Sequence, residues 1–118
     1  MLDQIQGEYG FVSCKSTHQN RLDTMKAVYA AGDGFIDPHT ADGIKVAREL
    51  RREGETIVCL ETALATKFDE TVHEALGADV HIPRPANLAG WEALPQHVTE
   101  VGNDVFVVKD LIRAAVKI

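Results

Sequence analysis

The sequence predicts an α/β fold in which a short parallel sheet is covered by helices. The first observation is Thr56–Leu60, a continuous apolar run, because uninterrupted apolar character is typical of a strand buried on both faces. The second is Val80–Ile82, where apolar residues flank a histidine as in a short strand. The third is a set of amphipathic segments around these runs, which predicts the covering helices.

Three of these helices are predicted from apolar residues at helical spacing and from the polar residues or glycines that bound them. Asp37 is a suitable N-cap for the second helix, and Thr66 with Asp69 forms a capping box for the third. The first helix is predicted from Ser16-Thr17 to the glycines Gly32 and Gly34. The second is predicted from Asp37 to about Arg52, and the third from Thr66 to Gly77.

The C-terminal stretch is ambiguous, because Val105–Val108 has strand propensity. The pattern continues for more than ten residues without a turn signal, so we predict a helix from an Asn103 cap. A short helix is also predicted from Asn87 to Pro95.

The 118 residues are enough for one core and too few for two, which predicts a single domain spanning residues 1–118. The net charge of -6 argues against nucleic acid as a partner, since neutralising phosphates needs clustered basic residues. No apolar run approaches the roughly 18–20 residues of a membrane span, and the N-terminus has no signal-peptide pattern. These features predict a cytoplasmic protein that does not enter a membrane.

The cysteines and histidines give no sign of a metal or redox centre. Cys14 and Cys59 have no CxxC spacing and are interpreted as reduced thiols, with a disulfide between them as the minor alternative. A redox function has no supporting spacing. Four histidines lie at polar positions without paired-ligand spacing: His18, His73, His81 and His97.

The start of the helix after Gly34 is the best candidate for a ligand site. Asp37 caps this helix, and Pro38 occupies the first helical position, where its missing N–H costs nothing. His39 and Thr40 follow in the first turn, beside the positive end of the helix dipole. Such a position favours a small ligand.

Two motifs resemble a known family. Asp37-Pro38-His39-Thr40-Ala41 and the stretch Thr62–Phe68, read as TA-x-x-x-KF, are together similar to the C-terminal part of threonine synthase. The resemblance covers the chain from about Phe11 to its end, which is a minor portion of the family's full length. Many members read TAHPAKF in the second motif, so a His and a Pro are absent from this chain.

The resemblance implies a pyridoxal phosphate enzyme of the tryptophan-synthase-β-like fold (fold type II). Enzymes of this family are carbon-oxygen lyases acting on phosphates, and they convert O-phosphohomoserine and water to L-threonine and phosphate. By the resemblance, Thr40 is the hydroxyl that meets the pyridine nitrogen of the cofactor. A hydroxyl can donate to an unprotonated nitrogen, whereas a carboxylate would favour its protonation. His39 is expected in the wall of the cofactor site, and Asp37 acts as a cap rather than an acid.

The family's cofactor-bearing lysine and its glycine- and asparagine-rich phosphate loop have no counterpart in this sequence. Lys67 is either turned toward the active site or a solvated lysine. No catalytic residue is therefore assigned, and the chain is interpreted as a C-terminal fragment that is inactive on its own.

The alternative function is a free-standing, non-catalytic α/β module that binds a protein partner or a small anion at its helix N-termini. Surface apolarity distinguishes the two hypotheses. A fragment is expected to expose a contiguous apolar patch and to self-associate, whereas an evolved module is not.

Overall fold

The computed structural model describes residues 2–116, with side chains from residue 4 onward. Two compact units divide the chain, one ending at Pro85 and one beginning at Ala86. The single domain over residues 1–118 stays a prediction. The α-helices of the described residues are α1 (Leu2–Tyr9), α2 (His18–Ala30), α3 (Pro38–Leu50), α4 (Asp69–Leu76) and α5 (Val105–Val116), and the 3-10 turns are Ala65–Lys67, Ala86–Leu88 and Trp91–Ala93.

Helix α2 begins and ends at the residues that the sequence predicted. The Asn20 N–H donates to Thr17 Oγ1 over 3.2 Å, and the Thr17 N–H donates to Asn20 Oδ1 over 3.1 Å. This reciprocal pair is a capping box that satisfies two N–H groups at the helix start. Gly32 follows the helix with a φ of +86°, a conformation that glycine adopts without steric cost.

The core of the first unit lies where α2 packs against α3 and α4. Met25 of α2 and Val72 of α4 are almost fully buried at 2% and 0% exposure, and Ala41 of α3 is enclosed between the helices. Fully burying a side chain of this size contributes roughly 1.5–3 kcal/mol. The remaining buried residues of the cluster are Leu22, Ala65 and Ala75, with Phe35, Ile36, Leu76 and Ile82 packed against them.

A polar contact fixes α3 against α2. Arg21 Nη2 lies 2.8 Å from Asp42 Oδ2 and Arg21 Nε lies 3.1 Å from Asp42 Oδ1, while the Ser16 hydroxyl donates to the same carboxylate over 2.6 Å. Burial alone would raise the pKa of Asp42, but the hydrogen bonds from Arg21 and Ser16 outweigh it and lower the pKa. The contact between Arg21 and Asp42 therefore holds α3, and with it the candidate site at its start, against α2.

The predicted parallel sheet is wrong, because residues 2–116 contain no β-strand. Residues 56–60 are not helical, but they make no backbone hydrogen bond to any other described segment. Val58 and Leu60 are 79% and 78% exposed, which is the reverse of the burial expected for a central strand. An apolar run predicts that its side chains are buried, but it does not predict that they form a strand. A strand also needs a neighbouring strand with which its backbone can form hydrogen bonds.

Val80–Ile82 was also predicted as a strand, and the structure contradicts that assignment. The Val80 N–H donates to Gly77 O over 3.3 Å in a turn. The carbonyl of Val80 accepts a hydrogen bond from His73 Nε2 at 3.0 Å. Both backbone groups of Val80 are therefore engaged locally rather than in a ladder.

Helix α4 ends before Gly77 as predicted, but its predicted capping box is wrong. Residues Ala65–Lys67 form a 3-10 turn, so Thr66 lies within that turn and the α-helix begins only at Asp69. Phe68 is the residue at the N-cap, and it makes no side-chain capping hydrogen bond. The 3-10 turn therefore moves the N-cap of α4 two residues along the chain, from the predicted Thr66 to Phe68.

In the second unit, α5 confirms the choice of helix over strand. Its cap is Asp104 rather than Asn103, since Asp104 Oδ1 accepts from the Phe106 N–H over 2.8 Å. The short helix predicted from Asn87 is replaced by two 3-10 turns. No helix within residues 2–116 combines the length and apolar character needed to cross a membrane.

Candidate functional site

The candidate site is built on the N-terminus of α3. Asp37 is fully buried at 0% exposure, and its Oδ1 accepts from the backbone N–H groups of His39 at 2.9 Å and Thr40 at 3.4 Å. Pro38 stands at the first helical position. The predicted cap is confirmed, and it satisfies two of the N–H groups that a helix start leaves unpaired.

The same carboxylate also binds two side chains. His39 Nδ1 lies 2.9 Å from Asp37 Oδ1, and the Thr40 hydroxyl donates to Asp37 Oδ2. Burial alone would raise the pKa of Asp37, but the hydrogen bonds from Thr40 and His39 outweigh it and lower the pKa. Asp37 is therefore an ionised group that accepts from two side chains and from the helix start.

This carboxylate orients the His39 ring. An ionised carboxylate only accepts hydrogen bonds, so the proton of this contact belongs to Nδ1 of His39. The ring also meets Phe68 edge-on, with centroids 4.9 Å apart and an interplanar angle of 66°. The side chain is nevertheless 62% exposed, and Nε2 makes no hydrogen bond to any described residue. The site thus presents one free ring nitrogen in a fixed orientation.

Thr40 lies deeper in the same cluster and is only 5% exposed. Because its proton is donated to Asp37, its oxygen acts as an acceptor toward the Thr62 N–H at 3.3 Å. Thr62 and Phe68 both belong to the second motif, whereas Thr40 and His39 belong to the first. The two motifs, distant in the sequence, are therefore joined by a hydrogen bond and by a ring contact.

The second motif and the residue that follows it also carry buried polar atoms without a partner. Among the described residues, Thr66 Oγ1 and Asp69 Oδ1 are buried and make no hydrogen bond. The other oxygen of Asp69 faces Arg84 Nη2 at 3.5 Å. Lys67 is exposed on the 3-10 turn, so both interpretations of this lysine stay open.

We predict that Thr66→Val raises the free energy of unfolding of this chain by about 1 kcal/mol, because a buried unpaired hydroxyl carries a desolvation cost without a compensating bond. Thr24→Val is the matched control. Thr24 is equally buried at 6% exposure, but its hydroxyl donates to Asn20 O over 2.7 Å, so this variant is expected to lose about 1 kcal/mol. Urea unfolding measures both values, and a loss of stability in Thr66→Val would contradict the prediction.

Sequence reasoning found the residues of this site but missed their connections. The signal for the Asp37 contacts was present, since an N-cap carboxylate lies within reach of side chains two and three residues later. Nothing in the sequence indicated that Thr62 and Phe68 lie against Thr40 and His39. In the part of the chain that the structure describes, no three His, Cys, Asp or Glu side chains are grouped as a metal site requires.

Comparison with known proteins gives consistent matches. A family model described as "Threonine synthase, C-terminal" matches residues 40–112. Threonine synthase of Methylobacillus glycogenes is 47% identical over 106 residues, which are 89% of this chain and 22% of that protein. Threonine synthase of Corynebacterium glutamicum is 42% identical over 115 residues, which are 97% of this chain and 24% of that protein.

A solved structure agrees with these matches. The crystal structure of PLP-bound threonine synthase from Brucella melitensis superposes with a TM-score of 0.71 and 30% sequence identity, covering 96% of this chain and 24% of that one. The chain thus spans about a quarter of the length of the relatives that it matches. The family match covers more than half of the sequence, and the resemblance of its two motifs is confirmed. The chain belongs to the threonine synthase C-terminal family.

Proposed function

We propose that this chain is the C-terminal part of a pyridoxal phosphate-dependent threonine synthase, which converts O-phosphohomoserine and water to L-threonine and phosphate. The observation that carries the proposal is the identity of 47% with a threonine synthase over 89% of the chain. Because the chain spans only about a quarter of such relatives, we expect it to be inactive without the remainder.

The exposed apolar surface of the first unit supports the proposal. Val58 and Leu60 are mostly exposed, and Ile57 is 41% exposed beside a groove that Val46 and Leu50 also line. Soluble monomers rarely expose contiguous apolar patches of large area, and those that do usually bind a partner there. We expect this surface to pack against the remainder of the enzyme.

The second unit also has an exposed apolar surface. Helix α5 exposes Phe106 at 69% and Ile112 at 58%, together with four valines and a leucine. An evolved free-standing module would be expected to cover such a helix, so this surface argues against the alternative function. As a consequence, the isolated chain is expected to self-associate.

Thr40 is proposed as the residue of this chain that contacts the cofactor. Its residue type and its place at the start of α3 fit a hydroxyl that meets a pyridine nitrogen. Because the hydroxyl donates to Asp37 in this structure, donation to the cofactor requires its proton to turn away from that carboxylate. Pyridoxal phosphate, when bound, supplies an electron sink for the reaction. The Thr62 N–H, which donates to the Thr40 oxygen, holds that oxygen in place in either case.

A cytoplasmic location is part of the proposal. Cys14 and Cys59 are both free and exposed, which fits a reducing compartment, where such thiols persist without pairing. The proposed small-molecule partner is O-phosphohomoserine, as the substrate of the intact enzyme.

The experiment is an assay of the complete polypeptide that contains this sequence, purified and supplied with pyridoxal phosphate. With O-phosphohomoserine as substrate, we expect threonine and inorganic phosphate to form in equal amounts. Homoserine, which lacks the phosphate leaving group, is the control and is expected to give no threonine. Release of phosphate without threonine, or no reaction at all, would reject the proposed function.

A further inference from the structure

We infer that the Thr40 oxygen accepts a hydrogen bond from the cofactor instead of donating one, and that Asp37 is the positioning residue that fixes this direction. The ring nitrogen of pyridoxal phosphate that meets Thr40 therefore carries a proton. This inference rests on the proposed function, in which Thr40 contacts that nitrogen, and it deepens the proposal by assigning the proton of the contact.

The buried carboxylate of Asp37 depends on the Thr40 hydroxyl for one of its two oxygens. Asp37 is 0% exposed, and its Oδ1 accepts from the backbone N–H groups of His39 and Thr40 and contacts His39 Nδ1. Among the described residues, Oδ2 accepts from the Thr40 hydroxyl and from no other group. If the Thr40 proton turned away, a buried charged oxygen would be left without a donor, which is costly.

The hydrogen-bonding capacity of the Thr40 oxygen is almost used up within this cluster. A hydroxyl group has one proton to donate and two lone pairs that accept. The proton of Thr40 is donated to Asp37, and one lone pair accepts from the Thr62 N–H at 3.3 Å. One lone pair remains, so a polar group that meets this oxygen has to be a donor. A pyridine nitrogen is a donor only when it carries a proton.

An unprotonated ring nitrogen would have to compete with Asp37 for the single proton of Thr40. Burial alone would raise the pKa of Asp37, but the hydrogen bonds from Thr40 and His39 outweigh it and lower the pKa, so the carboxylate is ionised. Hydrogen bonds to a charged acceptor are roughly twice as strong as those between neutral groups. The carboxylate therefore keeps the Thr40 proton, and a ring nitrogen protonated from solvent avoids the competition.

The test uses the complete enzyme loaded with pyridoxal phosphate that carries nitrogen-15 in its ring. The measured quantity is the chemical shift of that nitrogen at neutral pH, which reports its proton without any turnover. We expect the wild-type enzyme to give the shift of a protonated pyridine nitrogen. The shift of an unprotonated nitrogen in the wild-type enzyme would overturn the inference, and this result needs no variant.

Asp37→Asn tests whether this residue fixes the direction of the hydrogen bond. The amide oxygen can still cap the start of α3, while the amide nitrogen takes the place of Oδ2 and donates to the Thr40 oxygen. The Thr40 proton is then free to point at the cofactor. We expect the shift of the ring nitrogen to move to that of an unprotonated nitrogen, and retention of the wild-type shift would contradict the positioning role.

Asp42→Asn is the matched control, because it removes one negative charge from the same helix. The Asp42 carboxylate accepts from Arg21 and Ser16 and not from Thr40, so we expect the wild-type shift to be retained. An equal change of shift in the two variants would show that the lost charge controls the proton on the ring. It would overturn the role inferred for the Asp37–Thr40 hydrogen bond.

These outcomes are distinguishable from a failure of the proposed function. A wild-type enzyme that makes threonine while its ring nitrogen is unprotonated rejects the inference alone. A wild-type enzyme that shows no cofactor absorbance and makes no threonine rejects the proposed function, and the inference is rejected with it. The cofactor absorbance of each variant shows whether it has folded and bound the cofactor before its shift is compared.

Discussion

Replacement of Asp37 by alanine is expected to lower the free energy of unfolding of this chain by about 3 kcal/mol. Loss of an N-cap costs about 1 kcal/mol, and the buried Thr40 hydroxyl, left without its acceptor, adds a cost of about 1–3 kcal/mol. The sequence alone would predict only the first of these costs. Urea unfolding followed by circular dichroism at low protein concentration measures the change.

Asp37→Asn is the matched control for this loss. Asparagine retains the capping acceptor for the N–H groups of His39 and Thr40, so the expected loss is only about 1 kcal/mol. Equal losses in the two variants would show that the capping oxygen contributes little. An unchanged stability in Asp37→Ala would contradict the structural account of the cap.

The stability of the wild-type chain should also depend on pH through Asp37. Its pKa in the folded chain lies below the ordinary value of 3.8, so the folded state favours the ionised carboxylate. The resulting stabilisation is fully present above about pH 4 and is lost as the pH falls through the lower folded pKa. In Asp37→Asn, this part of the loss of stability at low pH should be absent. Identical acid unfolding profiles for the two proteins would contradict the lowered pKa.

In the complete enzyme, Thr40→Val is expected to weaken cofactor binding or turnover by about tenfold, which corresponds to the loss of one hydrogen bond of about 1.4 kcal/mol. Valine has nearly the shape of threonine, so the packing of this buried position is kept. The variant also removes the hydroxyl that donates to Asp37 and accepts from Thr62, so stability should fall by about 1–2 kcal/mol.

Thr40→Ser tests whether the hydroxyl of the Thr40 side chain, rather than its methyl group, is what the cofactor requires. Serine keeps the hydroxyl and is expected to restore most of the cofactor affinity, measured by titration of the cofactor absorbance. Normal affinity and normal kinetics in Thr40→Val, with the fold retained, would reject the assignment of Thr40 to the cofactor.

Local sequence signals predicted α2, α3, α4 and α5 and the start of the site. The Thr17 and Asp37 caps and the terminating Gly32 and Gly77 are properties of a few neighbouring residues, and the structure confirms each of them. The cap of α5 was misplaced by one residue, because Asn103 and Asp104 are both good capping residues at adjacent positions.

The sheet could not be predicted in the same way. Thr56–Leu60 has the apolar character of a buried strand, but pairing depends on segments that are distant in the sequence, and the described residues offer it none. The tertiary contacts of the site could not be predicted from the sequence for the same reason. The hydrogen bond from Thr62 to Thr40 and the ring contact of Phe68 with His39 depend on how the second motif folds back onto α3.

The most direct test of the central claim is the size of the native polypeptide, measured by blotting a lysate of the source with an antibody raised against this chain. Because the chain is 22–24% of the length of its relatives, we expect a band about four times its own 12.9 kDa. Such a band would place the remainder of a threonine synthase on the same polypeptide. A band at the size of the chain itself would contradict the claim that it acts as one part of a larger enzyme.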